Sequence, residues 1–126
     1  MFRVEEPSSG IVRLTFEGGM SAADEAAYLR TLDELSQRSE PFVVVALMDG
    51  RNPLSAMGRK AQALWFKRSR AHLGEVCRGL VRVPWGDARA DLGGEALAHA
   101  LPFPLVHAKS EAEAVDLAWR LLAAGL

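Results

Sequence analysis

The sequence predicts an α/β fold: one domain spanning residues 1–126, built on a mixed sheet of about five strands with about four helices in the order ββαβαβαβα. Three observations carry that expectation. The run Phe42-Val-Val-Val-Ala-Leu-Met48 is apolar and rich in β-branched residues, the pattern of a central strand covered on both faces. Phe2 to Glu6 and Ile11 to Glu17 flank Pro7-Ser8-Ser9-Gly10, four residues of turn chemistry, and so open the chain with a hairpin. Beyond the hairpin, helical and strand-like segments alternate, which requires parallel strands joined by right-handed crossovers.

In the second hairpin segment Val12, Leu14 and Phe16 share one face and Arg13, Thr15 and Glu17 the other, so this strand is expected to be covered on one side only. Gly18-Gly19 ends it. A first helix runs from about Ala22 to Gln37, capped by Ser21 with Asp24 three residues on. Tyr28, Leu32 and Leu35 recur at helical spacing and face the core, while Asp33 and Glu34 read as solvated acids. A second helix begins near Ser55, which can cap it, and continues to about His72. Its wheel groups Met57, Ala61, Leu64, Trp65 and Ala71 as a core stripe and sets Arg59, Phe66 and Arg70 on the opposite side.

A strand follows between Val76 and Val83, stopped by Pro84. Residues 85–93 read as loop, since adjacent glycines at 93 and 94 cost a helix interior about 1 kcal/mol each. A short helix is expected from about Gly94 to Leu101, broken by Pro102 and Pro104, and Leu105-Val106-His107 makes a last short strand. Ser110-Glu-Ala-Glu113 has the letters of a capping box, and Val115, Ala118, Trp119 and Leu122 form the stripe of a closing helix.

Composition bounds the function. With 126 residues and 49% apolar content the chain can bury a core without metals or disulfides. The 15 Lys and Arg against 16 Asp and Glu leave a formal charge of -1, which removes the positive field that nucleic-acid binding exploits, so no nucleic-acid partner is expected. A single Cys77 excludes an internal disulfide, and Met1-Phe-Arg-Val-Glu-Glu has none of the features of a signal peptide, so a cytoplasmic location is expected. The longest apolar run falls far short of the roughly 20 residues of a membrane span.

Nothing in the sequence points to catalysis. No Ser lies in a Gly-x-Ser-x-Gly elbow, and His72, His99 and His107 sit on separate segments without metal-ligand spacing. Neither Gly18-Gly19 nor Gly93-Gly94 belongs to a phosphate-cradling fingerprint, and Cys77 reads as a small buried hydrophobe. No catalytic residue, metal site or cofactor is expected.

The strand ending in Leu47-Met48-Asp49, the helix opening at Ser55, the short strand Leu105-Val106-His107 and the closing Ser110-Glu-Ala-Glu-Ala-Val-Asp-Leu-Ala-Trp-Arg-Leu together resemble the SpoIIAA-like group, small bacterial domains with the STAS fold of anti-sigma-factor antagonists. The group is also described as related to lipid-binding SEC14 domains. In its regulatory members the resemblance implies a phosphorylation switch on a Ser at the start of the second helix, the position of Ser55. Here Leu54-Ser55-Ala56-Met57-Gly58 stands in place of the usual Asp-Ser-Ser-Gly cluster, and the plainer role for Asp49 and Ser55 is strand terminus and helix cap.

The leading expectation is therefore a regulatory or protein-interaction module that meets another protein, or a second copy of itself as a homodimer, through Arg59, Phe66 and Arg70. The alternative is a small-molecule or lipid-binding domain with an apolar pocket beside the second helix. That pocket would be lined by Met57 and Trp65, with Arg51 or Lys60 meeting an anionic head group.

Overall fold

The apolar run at 42–48 becomes the middle strand of a five-stranded sheet. A computed structural model of the protein describes residues 1–49, 54–84 and 100–124. In chain order its elements are β1 (Phe2–Ser8), β2 (Ile11–Phe16), α1 (Ala22–Ser36), β3 (Phe42–Met48), α2 (Ala56–Val76), β4 (Cys77–Pro84), β5 (Leu105–His107) and α3 (Glu111–Ala124). The sheet order is β1-β2-β3-β4-β5, with β1 antiparallel to β2 and every later neighbour parallel. Three helices are thus seen among the described residues, against about four expected. The helix expected over 94–101 falls almost wholly outside them.

Each parallel step moves one strand across in the same direction, so right-handed crossovers must place α1 and α2 on the same face. They do: Leu35 of α1 and Leu73 and Val76 of α2 pack on Val12, Leu14, Phe16, Phe42, Val44 and Ala46. The opposite face, with Ile11, Val43, Val45, Val81 and Val83, is covered by Ala114 and Ala118 of α3. No helix among the described residues is long and apolar enough to cross a membrane.

The one-sided reading of β2 is corrected by this packing. Ile11 and Thr15 are buried on the α3 side, and Arg13 there pairs with Glu5 and Glu111. Being the second strand of five, β2 lies partly under α3. The stripe expected in the closing helix is likewise turned by about one position: Ala114 and Ala118 are buried, Leu117, Leu121 and Leu122 pack beside them, and Trp119 is exposed. Alanines decide the face because they let the helix approach the sheet closely.

A larger correction concerns α2. It runs a turn further than expected and passes into β4 at Cys77, and its buried residues are Gly58, Ser69, Leu73 and Val76. Met57 and Leu64, expected in the core, are the most exposed large apolar side chains of the helix, at 82% and 59%. The α1–α2 contact accounts for the rotation. A Cβ built on Gly58 would run into the carboxylate of Glu25, so this side chain lies directly over Gly58 where the helices meet. The inner line mixes the small Gly58 and Ser69 with Leu73 and Val76, and Met57 and Leu64 point away from it.

The opening hairpin closes at Gly10, whose φ of 88° lies in the left-handed region that favours glycine. Glu6 fastens the turn, accepting from the Gly10 N–H at 3.1 Å and pairing with Arg38 beyond α1. The Arg38 guanidinium, and then the Gly10 N–H, hold the Glu6 carboxyl below the usual glutamate range. A depressed pKa contributes stability above the unfolded-state value and loses it as the pH falls through the folded one. Glu6→Gln is therefore expected to be less stable than the parent at neutral pH, with the gap closing as the pH falls below the ordinary glutamate value of 4.5. Urea denaturation of both proteins across the acid range checks this; a gap that widens in acid would contradict it.

Candidate functional site

Ser55 is the N-cap of α2. Its hydroxyl accepts from the Gly58 N–H at 3.0 Å. The first turn of α2 carries no acidic residue, and an acid from another helix takes that place. Glu25 of α1 accepts from the Ser55 N–H at 2.7 Å and from the Ser55 hydroxyl at 2.9 Å. A carboxylate beside a helix N-terminus is favoured by the orphan N–H groups and the helix dipole. Asp49, at the end of β3, accepts from the Gly18 N–H at 2.6 Å and so fastens the chain leaving β2. Arg51 lies outside the described residues.

Of the three residues expected to form a partner surface, Arg59 and Arg70 are exposed and Phe66 is not. Phe66 is half-buried and packs against the core on the α1/α2 face. The Arg70 guanidinium sits 5.8 Å from its ring centroid and donates to the Ala100 carbonyl. Arg59 turns back to donate to the Leu54 carbonyl at 3.0 Å. The rotation of α2 turns Phe66 partly inward, and Met57, Lys60, Leu64, Lys67 and Ala71 form an exposed line beside Arg59 and Arg70.

Beneath α2 lies an apolar cavity of about 320 Å³, between the two helices and the sheet. Leu14, Phe16, Val44, Ala46, Trp65 and Phe103 are among its walls. Of the residues expected to line a pocket, Trp65 does so. Met57 and Lys60 are exposed and do not. Four polar groups interrupt the apolar wall. The Tyr28 hydroxyl donates to Gln62, and burial pushes the phenol up to about 12. The Trp65 indole N–H is buried with no acceptor, and the Arg82 guanidinium has Met48 Sδ at 3.4 Å as its hydrogen-bond partner.

Sequence reasoning missed Glu25 and Arg82. Glu25 gives no signal, because its partner lies 30 residues away. Arg82 does give one: a charged residue shares a strand face with Leu80, two positions away, in a strand whose other face carries Val81 and Val83.

No family model and no curated protein matches the sequence. Two solved structures share its architecture. One is an uncharacterized protein of the DUF3478 family with a SpoIIAA-like fold, from Shewanella loihica PV-4; it matches with a TM-score of 0.67 at 10% identity over 94% of this chain and 92% of its own. The chain has a SpoIIAA-like fold. The other is an anti-sigma factor antagonist from Mycobacterium paratuberculosis, with a TM-score of 0.53 at 17% identity over 94% of this chain and 93% of its own.

On this SpoIIAA-like fold Ser55 opens the second helix, where the resemblance implies a switch, yet the ground beside its hydroxyl is occupied by Glu25. A phosphoryl group there would add about -2 charge next to a carboxylate. What the geometry supports directly is a structural pair. Ser55→Ala and Glu25→Ala are each expected to cost about 1–2 kcal/mol, and the double variant less than the sum, because both remove one shared set of hydrogen bonds. A double-mutant cycle in urea measures the coupling; additive losses would show that the two side chains act independently.

Proposed function

We propose that the chain is a non-catalytic regulatory module that holds another protein against the outer line of α2. The observation that supports this reading is the exposure of Met57 and Leu64, two turns apart on one helix face. Isolated exposed apolar residues are ordinary. Here they alternate with Lys60 and Lys67, which have no ion-pair partner among the described residues, and Arg59, Arg68 and Arg70 flank them on a helix whose acidic residue is Glu75. The complementary occupant is a protein presenting an apolar strip with an acidic rim, such as an amphipathic helix. The anti-sigma factor antagonist that shares the fold supports a regulatory role of this class.

The test is photo-crosslinking in the native host from a benzoylphenylalanine placed at Leu64, with Arg120 on α3 as the control position. A discrete adduct from Leu64 alone, weakened at least about tenfold by Lys60→Glu with Lys67→Glu, supports the reading. Adducts that are identical from both positions, or none, would overturn it. An adduct only to the chain itself would replace the foreign partner with a second copy.

A further inference from the structure

We propose that the chain pairs with a second copy of itself through the outer edge of β1, the two strands antiparallel about a two-fold axis at Val4 and the two sheets joined into one. β1 stands at the end of the sheet, and among the described residues no strand pairs with its other side. The backbone shows which groups that side offers. The Glu17 N–H donates to the Met1 carbonyl at 2.9 Å, and the Met1 ammonium donates back to the Glu17 carbonyl. Bonded and non-bonded pairs alternate along an antiparallel ladder, so Arg3 and Glu5, opposite Thr15 and Arg13, also bond inward to β2. The N–H and C=O of Phe2 and Val4 therefore point to the open side, with the Glu6 N–H next in the alternation. A strand edge of this kind is a template for another strand.

Charge complementarity selects the occupant and its register. Because the outward groups belong to even-numbered residues, a second β1 that overlaps most of the first can be centred on Arg3, Val4 or Glu5. Centring on Arg3 sets it against the partner's Arg3, and centring on Glu5 sets it against the partner's Glu5; like charges directly opposite are unfavourable. Centring on Val4 places Arg3 opposite the partner's Glu5, and Glu5 opposite the partner's Arg3, at the non-bonded positions where side chains come closest. With 54% and 39% of their side-chain surface exposed, Arg3 and Glu5 select the register more than they hold the contact. On the other face Val4, 45% exposed, meets the partner's Val4, and both lose apolar surface to the contact. The pairing also closes on itself. The irregularity after Glu5 ends the usable edge, and the far edge of the sheet, β5, is only three residues long. This surface shares no residue with the outer line of α2, so it stands or falls apart from the docking reading.

Sedimentation velocity of the purified chain tests it. A contact this small is expected to populate dimer at about 100 µM and to dissociate by about 1 µM. Arg3→Glu and Glu5→Arg should each weaken self-association at least about tenfold, while their equimolar mixture recovers it, because opposite charges again face each other across the axis. Glu5→Arg also gives up its ion pair with Arg13, so thermal melting accompanies each measurement. Val4→Cys carries the test if that variant fails to fold. Directly opposed bonded residues have Cα atoms about 5.5 Å apart, within disulfide range, so mild oxidation should give a covalent dimer while Arg120→Cys on α3 stays monomeric. Lys60→Glu with Lys67→Glu should leave the dimer unchanged; its loss there would place the contact on α2 and overturn the proposal. A monomer at every concentration, a dimer indifferent to both charge variants, a mixture of folded variants that fails to recover, or equal crosslinking from the two cysteines would overturn it as well.

Discussion

Replacing Phe42 by alanine is expected to cost about 3–5 kcal/mol, a large share of the roughly 5–15 kcal/mol that holds a domain of this kind together. Phe42 is 1% exposed and heads the group of largest fully buried side chains. It opens β3, contributes to the core under α1 and α2, and has the Arg38 guanidinium 5.5 Å from its ring centroid. Two things place the cost toward the upper end. The ring adjoins the existing cavity, so truncation enlarges a void that the surrounding side chains already leave unfilled. The Arg38 side chain also loses the ring it covers. Urea denaturation is the measurement, with Val4→Ala on the exposed edge strand as a control near zero. A loss for Phe42→Ala below about 1 kcal/mol would show that β3 is not the centre of the core.

Ala118→Asp is expected to be comparably damaging, at about 3–5 kcal/mol near neutral pH, through a different mechanism. Ala118 has no exposure, and α3 lies on Val43, Val45, Val81 and Val83 with alanines at the contact. A carboxylate there would be unpaired among methyl groups. Burial raises the pKa of such an acid above its unfolded value, so the penalty relative to the parent should shrink as the pH falls toward and below the usual Asp range. Ala118→Ser separates charge from size, and should cost much less. Thermal melts of the three proteins at neutral and acid pH distinguish these effects; an aspartate variant as stable as the serine variant would place that helix face in solvent.

How much of the molecule was legible in its letters depends on which interaction set each element. β3 was legible because both of its faces meet apolar layers, so nearly every residue carries the same message. The Ser21–Asp24 capping box was legible because its partners are three residues apart, and both of its hydrogen bonds are present. The face of α2 was not legible. It is chosen by Gly58 fitting against Glu25 and by Leu73 and Val76 near the far end, whereas Met57 and Leu64 send a louder apolar signal from the wrong side. The same rotation leaves Arg59 and Arg70 exposed, turns Phe66 partly into the core and bares Met57 and Leu64. The cavity was legible only in Trp65, since a void is a property of how layers fail to meet and no single residue encodes it.

The strand order carries a consequence for how the domain assembles. Because β1 to β5 stand in the sheet in the order in which they occur in the chain, each new strand pairs with the one just completed, and each closure spans a single crossover. A sheet of this kind can grow outward from its opening hairpin, with α1 and α2 settling as their strands arrive. α3 is the exception. It must travel back over the finished sheet to reach β2, where Glu111 meets Arg13 across 98 residues of chain. The slow, long-range part of the search is thereby gathered into one helix, and sealing the second face of the sheet becomes its task.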